Sequence, residues 1–168
     1  ALGVAAPATT RLLVQDVDFT LKAGHAVGVV GPSGSGKSTL LSILGGLDVP
    51  SAGRATVAGH DLTAMGRRER TIYRRRVIGF VWQQTARNLL PYLSAAENVE
   101  LPMILDGATG SLRRRTALEL LDTVGLLPVH ASRYPHELSG GQSQRVGSAP
   151  ALAVGAPFIL CDDPVSAL

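Results

Sequence analysis

At 168 residues, 45% hydrophobic and 17% charged, the chain is long enough to bury one real core and too apolar for a disordered segment. Its net charge of +3 is mild, and arginine supplies every basic residue except Lys22 and Lys37, a balance that does not by itself indicate nucleic acid. A single cysteine, Cys161, excludes an internal disulfide framework and fits a reducing compartment. The first 13 residues lack a basic region followed by an apolar stretch, so no signal peptide is expected.

In chain order, alternation over residues 10–21 predicts an antiparallel strand, and residues 25–31, HAVGVVG, predict a short apolar strand. Leu40, Leu41, Leu44 and Leu47 mark an amphipathic helix after it. Residues 54–62 predict a strand and turn, and residues 77–82, VIGFVW, a buried strand. From about residue 89 to residue 152 the pattern is mostly helical. One helix there is expected to start on Ser111 as N-cap, to bury Ala117, Leu118, Leu121 and Val124, and to end at Gly125. Pro150, after Gly147 and Ser148, is expected to interrupt a later helix. Residues 157–162 predict the last strand, with Cys161 buried in it.

Residues 146–161 carry no charge, but they fall short of the roughly 20 apolar residues a membrane span needs, and two prolines interrupt them. They are read as helix, turn and strand. Continuous apolar strands alternating with helices predict an α/β fold: a parallel sheet covered on both faces, with a small antiparallel β portion. The helical run between the last two strands reads as an insertion, residues 85–152, within a core formed by residues 1–84 and 153–168.

Residues 31–39, GPSGSGKST, carry the clearest chemistry. Gly31, Gly36, Lys37 and Ser38 fit the phosphate-loop spacing, with Pro32, Ser33, Gly34, Ser35 and Thr39 completing the segment. Glycines let the backbone wind tightly, so that successive N–H groups face phosphate oxygens. The helix that follows adds its positive end. Lys37 is expected on the β- and γ-phosphates and Ser38 on Mg²⁺. Such a site needs a second acidic group at the end of a buried strand, and Asp162 supplies it. Asp163 follows, and adjacent strand residues face opposite ways, so the two carboxylates need not share a role.

Residues 138–142 read LSGGQ, 101 residues after Lys37 and 20 before Asp162. With the phosphate loop upstream and ILCDDP downstream, the chain resembles the ATP-binding subunit of ABC transporters over nearly its whole length. NLLPYLSAAENVELPM resembles the lipoprotein-releasing and macrolide-exporter branch. The resemblance implies a P-loop NTPase core of RecA-like type with an inserted helical subdomain. It implies ATP and Mg²⁺ as cofactors and a head-to-tail pair of subunits, alike or different, with two ATP molecules between them. It also implies a membrane subunit as partner and a cytoplasmic place at the inner face of the membrane. Gln83, after VIGFVW, matches the glutamine that reaches Mg²⁺ and the attacking water. Ser139, Gly140, Gly141 and Gln142 match the signature that contacts the ATP of the other subunit.

The chain departs from the family pattern in several places. Asp163 stands where the family places a glutamate as general base, one methylene longer. The switch histidine that follows in the family has no counterpart before Leu168, and both ends read as truncated. No aromatic residue precedes Phe19, so the platform that stacks on adenine is expected to be missing. The segment QTAR after Gln83 is slightly longer than the family pattern. Two other readings stay open: a module that binds ATP and dimerises without turnover, and an ABC ATPase acting on nucleic acid or ribosomes. The arginine runs at 67–76 and 113–115 are read as solvated basic faces, because aromatic residues suited to base stacking do not interleave them. No nucleic acid is expected as a partner. Trp82 is expected to pack at its strand end, and His136 to hydrogen-bond locally.

Overall fold

The computed structural model of the chain describes residues 14–82 and 89–162. The chain divides into two compact units, residues 1–71 and 72–168.

In the first unit, the phosphate-loop segment runs into α1, Lys37–Leu44, which buries Leu40, Ile43 and Leu44. Leu41 and Leu47 of the expected stripe stay at least partly exposed. A short hairpin follows: β1, Thr56–Val57, pairs antiparallel with β2, His60–Asp61, with Val57 opposite His60. Ala58 and Gly59 both take positive φ, the geometry of the two-residue turns that suit strand twist. Helix α2, Arg67–Arg76, then crosses from the first unit into the second. Its Arg70 is structural: Nη1 donates to Asp48 O at 3.2 Å and Nη2 to Leu62 O at 2.9 Å.

The strands expected over residues 10–21 and 25–31 are not formed in the described residues, 14–31. Val27, Val29 and Val30 are exposed, Val30 at 93%. A valine run specifies a strand only when neighbouring backbone completes its ladder. The same change leaves Phe19 exposed and outside any strand.

The second unit holds the parallel pair. Strand β3, Ile78–Val81, pairs with β4, Phe158–Cys161, in the register Ile78↔Phe158 to Val81↔Cys161. A parallel pair needs a long crossover, and residues 82–157 supply it. Gly79 is required by close approach: a Cβ there would meet Ala151 O at 2.3 Å. That contact seats α6, Pro150–Ala153, against β3. Trp82 does pack at the strand end, stacked on Phe80 with ring centroids 3.8 Å apart. Cys161, expected to be buried, is exposed at the end of β4. Nearby burial still pushes its thiol up from the ordinary range, which does not favour a nucleophile.

The crossover helices build the main core of this unit. Helix α3, Ala95–Leu105, starts on a full capping box of Ser94 and Glu97. Behind it, Asn98 ties down the incoming loop, accepting from Leu90 N and donating to Leu93 O. Helix α4, Gly110–Thr123, begins after Thr109 rather than on Ser111. Arg113 explains the earlier start: its backbone N–H bonds Thr109 O at 2.9 Å while its guanidinium reaches Ala108 O at 3.3 Å. Ala117 and Leu121 are buried as expected, but Leu118 is 40% exposed. Gly125 follows directly on the C-cap residue Val124. Val99, Met103, Ala117, Leu121, Leu126, Val146 and Ala149 pack into one apolar cluster. Helix α5, Gly140–Ser148, stops where Pro150 opens α6, the interruption the sequence predicted.

The arginine runs are less solvated than expected. Arg76 Nε donates to Asp106 Oδ1 at 2.7 Å, and Arg75 reaches Leu105 O. Arg113 and Arg114 both engage Glu100, whose carboxylate is buried. Unpaired burial would be costly for that carboxylate, so the arginines act as its counter-charges. Among the described residues no helix is long and apolar enough to cross a membrane.

Candidate nucleotide site

The phosphate-loop segment, in the first unit, is a backbone construction. Gly34 and Gly36 sit at φ 78° and 88°, a region that costs a residue with a Cβ about 1–2 kcal/mol. Gly36 is the N-cap of α1, with no side-chain cap, and the first turn of α1 carries no acidic residue. The positive end of α1 thus has no N-cap side-chain bond and no carboxylate in its first turn, the electrostatic condition for an anion site. Lys37 Nζ donates to Gly31 O and Pro32 O, both at 2.8 Å, which holds the ammonium across the loop. An ammonium has three donors, and those two carbonyls use two of them. Pro32, Ser33 and Ser35 are exposed along the loop; Ser38 and Thr39 lie in the first turn of α1.

The second element is the end of the parallel pair. Asp162 lies one residue past β4, and its N–H bonds Val81 O at 2.9 Å, continuing the ladder to the strand ends. Open parallel sheets bind ligands beyond the carboxyl ends of their strands, the edge where Asp162 stands. Gln83 and Asp163, and with them the QTAR segment, lie outside the described residues. Ser38 offers a hydroxyl in the first unit and Asp162 a carboxylate in the second; each by itself is a hard oxygen donor of the kind Mg²⁺ prefers.

The third element is the start of α5. Ser139 is its N-cap. Ser139 Oγ accepts from Gln142 N at 3.3 Å, and Gln142 Oε1 accepts from Ser139 N at 2.9 Å. Gly140 and Gly141 have open space where a Cβ would stand, so no packing among the described residues requires glycine at either position. His136 stacks on Tyr134, with centroids 6.0 Å apart. The imidazole that touches the signature is instead His130, which composition and periodicity did not single out.

Three comparisons bear on this arrangement. A family model described as ABC transporter matches residues 14–166. An uncharacterized ABC transporter ATP-binding protein of Thermotoga maritima is 50% identical over 155 residues, 92% of this chain and 65% of that protein. A macrolide export ATP-binding/permease protein of Burkholderia pseudomallei is 46% identical over 94% of this chain, which spans 24% of that longer protein. Among solved structures, the dimeric post-hydrolysis state of the ATP-binding cassette MJ0796, bound to ADP and Pi, superposes with a TM-score of 0.88. It is 42% identical and covers 99% of this chain and 72% of its own.

Proposed function

This chain belongs to the ABC transporter family of ATP-binding proteins, with the P-loop ATPase fold, and from that premise we propose that it binds and hydrolyses ATP to drive export or extraction by a membrane subunit. The observation that carries the reading is the start of α1: left-handed Gly36, no side-chain cap, and Lys37 held over the loop carbonyls.

In this reading residues 31–39 take the phosphates. Backbone N–H groups and the end of α1 supply fixed positive potential, and Lys37 adds a point charge. Ser38, Asp162 and Gln83 hold Mg²⁺, which when bound neutralises phosphate charge. Gln83 and Asp163 orient the attacking water, with Asp163 as its base. Ser139, Gly140, Gly141 and Gln142 contact the ATP of a second subunit arranged head to tail. The open space around Gly140 and Gly141 supports such an approach. Residues 85–152 form the helical subdomain and residues 1–84 and 153–168 the core. The protein works at the cytoplasmic face of the membrane. Export is favoured by the relatives, one of which is named for macrolide export.

Asp163 is one methylene shorter than the glutamate of the family, a shortfall of about 1 Å that costs about 100-fold when reacting geometry is tight. Phosphate release from the purified chain, with and without Asp163→Glu, tests this. Slow release that rises by about two orders of magnitude in the variant is expected. Fast release from the unsubstituted chain, unimproved by the variant, contradicts Asp163 as a shortened base. Absence of ATP binding contradicts the whole reading.

A further inference from the structure

The signature turn has a neighbour that its motif does not contain. His130 closes a short 3₁₀ turn, Pro128–His130, and its ring reaches both ways. On one side Leu127 N–H points at Nδ1 from 3.1 Å. On the other, Gln142 Nε2 lies 3.1 Å from His130 Nε2. The carboxamide of Gln142 is oriented by a separate bond: its Oε1 accepts from Ser139 N–H. Its Nε2 therefore faces the imidazole as a donor.

Both ring nitrogens thus face donors. A neutral imidazole has one N–H and one accepting nitrogen, so it satisfies one neighbour at a time. With the proton on Nδ1, the ring accepts from Gln142. With the proton on Nε2, it accepts from Leu127 and leaves Gln142 without that bond. Gln142 and Ser139 cap each other: the Gln142 carboxamide accepts from the Ser139 backbone N–H, and the Ser139 hydroxyl accepts from the Gln142 backbone N–H, so the contact reaches the cap through the Gln142 side chain.

We propose that His130 is a positioning residue for the signature: in its Nδ1–H form it holds the Gln142 carboxamide and so fixes the Ser139 cap that faces the second subunit's ATP. The proposal rests on the signature reading given above. It assigns His130 no contact with nucleotide.

Two substitutions separate this role from simple support of the turn. In His130→Gln, Oε1 stands near the place of the ring Nε2 and can accept from Gln142, but nothing stands at Nδ1. In His130→Asn, Oδ1 stands near the place of Nδ1 and can accept from Leu127, but nothing reaches Gln142. His130→Ala removes both. The readouts are ATP-dependent association of the chain, by sedimentation, and hydrogen exchange at the Gln142 amide without nucleotide. His130→Gln is expected within about twofold of the unsubstituted chain, while His130→Asn and His130→Ala lose about 3- to 10-fold in association and in Gln142 protection, the scale of one hydrogen bond. The reverse order, with Asn retained and Gln impaired, assigns His130 to the turn alone and overturns the proposal. Equal behaviour of all three variants and the unsubstituted chain also overturns it. If the unsubstituted chain does not associate with ATP, the signature reading fails, while Gln142 exchange still decides the role of His130.

Discussion

The two helix starts that carry the motifs, α1 and α5, are built in opposite ways. The N-cap of α1 is a glycine with no side-chain bond, so backbone winding makes the site and the helix end stays open. The N-cap of α5 is Ser139, locked by a reciprocal capping box with Gln142 and touched from outside by His130. One start offers its own N–H groups to an anion. The other bonds the N–H groups of Ser139 and Gln142 to side chains and presents a hydroxyl. Phosphate affinity in a single chain should therefore depend on the first start, and the order of the signature surface on side-chain bonds at the second.

The largest expected effect comes at α1. Lys37→Ala should lower ATP affinity by about 100-fold, the scale of one or two charge-assisted hydrogen bonds, measured with a fluorescent nucleotide. Unchanged affinity would break the phosphate-loop half of the comparison.

Next is the seat of α6 on β3. Gly79→Ala places a Cβ against Ala151 O and should cost about 2 kcal/mol in chemical denaturation. A neutral result would mean that the crossover can shift away without loss.

Ser139→Ala removes the α5 cap and should cost about 1 kcal/mol, with Ser139→Thr recovering most of it. If Thr and Ala behave alike, the Ser139 side-chain bond contributes little to the start of α5.

The smallest effect concerns α3, whose start is built like that of α5. The N–H and hydroxyl of Ser94 hold the carboxyl of Glu97 below its ordinary range. A lowered folded-state pKa gives stability that is present above the unfolded value, near 4.5, and lost as pH falls through the folded one. Glu97→Gln should therefore lower stability at neutral pH and narrow the gap to the unsubstituted chain in acid, as thermal melts across that range would show. A gap that does not change with pH would remove Glu97 as a charged cap.

Much of the site was legible because its motifs are local. The phosphate loop, the Ser139 cap and the Pro150 break are set by residues within one turn of one another. Strands β3 and β4 were legible because their apolar runs do find partners. Residues 25–31 carry the same kind of pattern without a ladder, since strand pairing depends on distant backbone. The Ser94–Glu97 box is a local signal too, S-x-x-E before an apolar run. Nothing local announces Arg113 and Arg114 on Glu100, or His130 on Gln142. Those pairs lie 12 to 14 residues apart and meet only after the turns between them have folded.

The central claim is that the two kinds of helix start are complementary halves of one site, contributed by different copies of the chain. Mixing Lys37→Ala chains with Ser139→Ala chains tests it most directly. A head-to-tail pair of one each contains one intact site, formed by the phosphate loop of the Ser139→Ala chain and the signature of the Lys37→Ala chain. Sedimentation with ATP should show association in the mixture that neither variant shows alone. A mixture no better than its parents, or Lys37→Ala chains that associate by themselves as well as the unsubstituted chain does, would contradict the account.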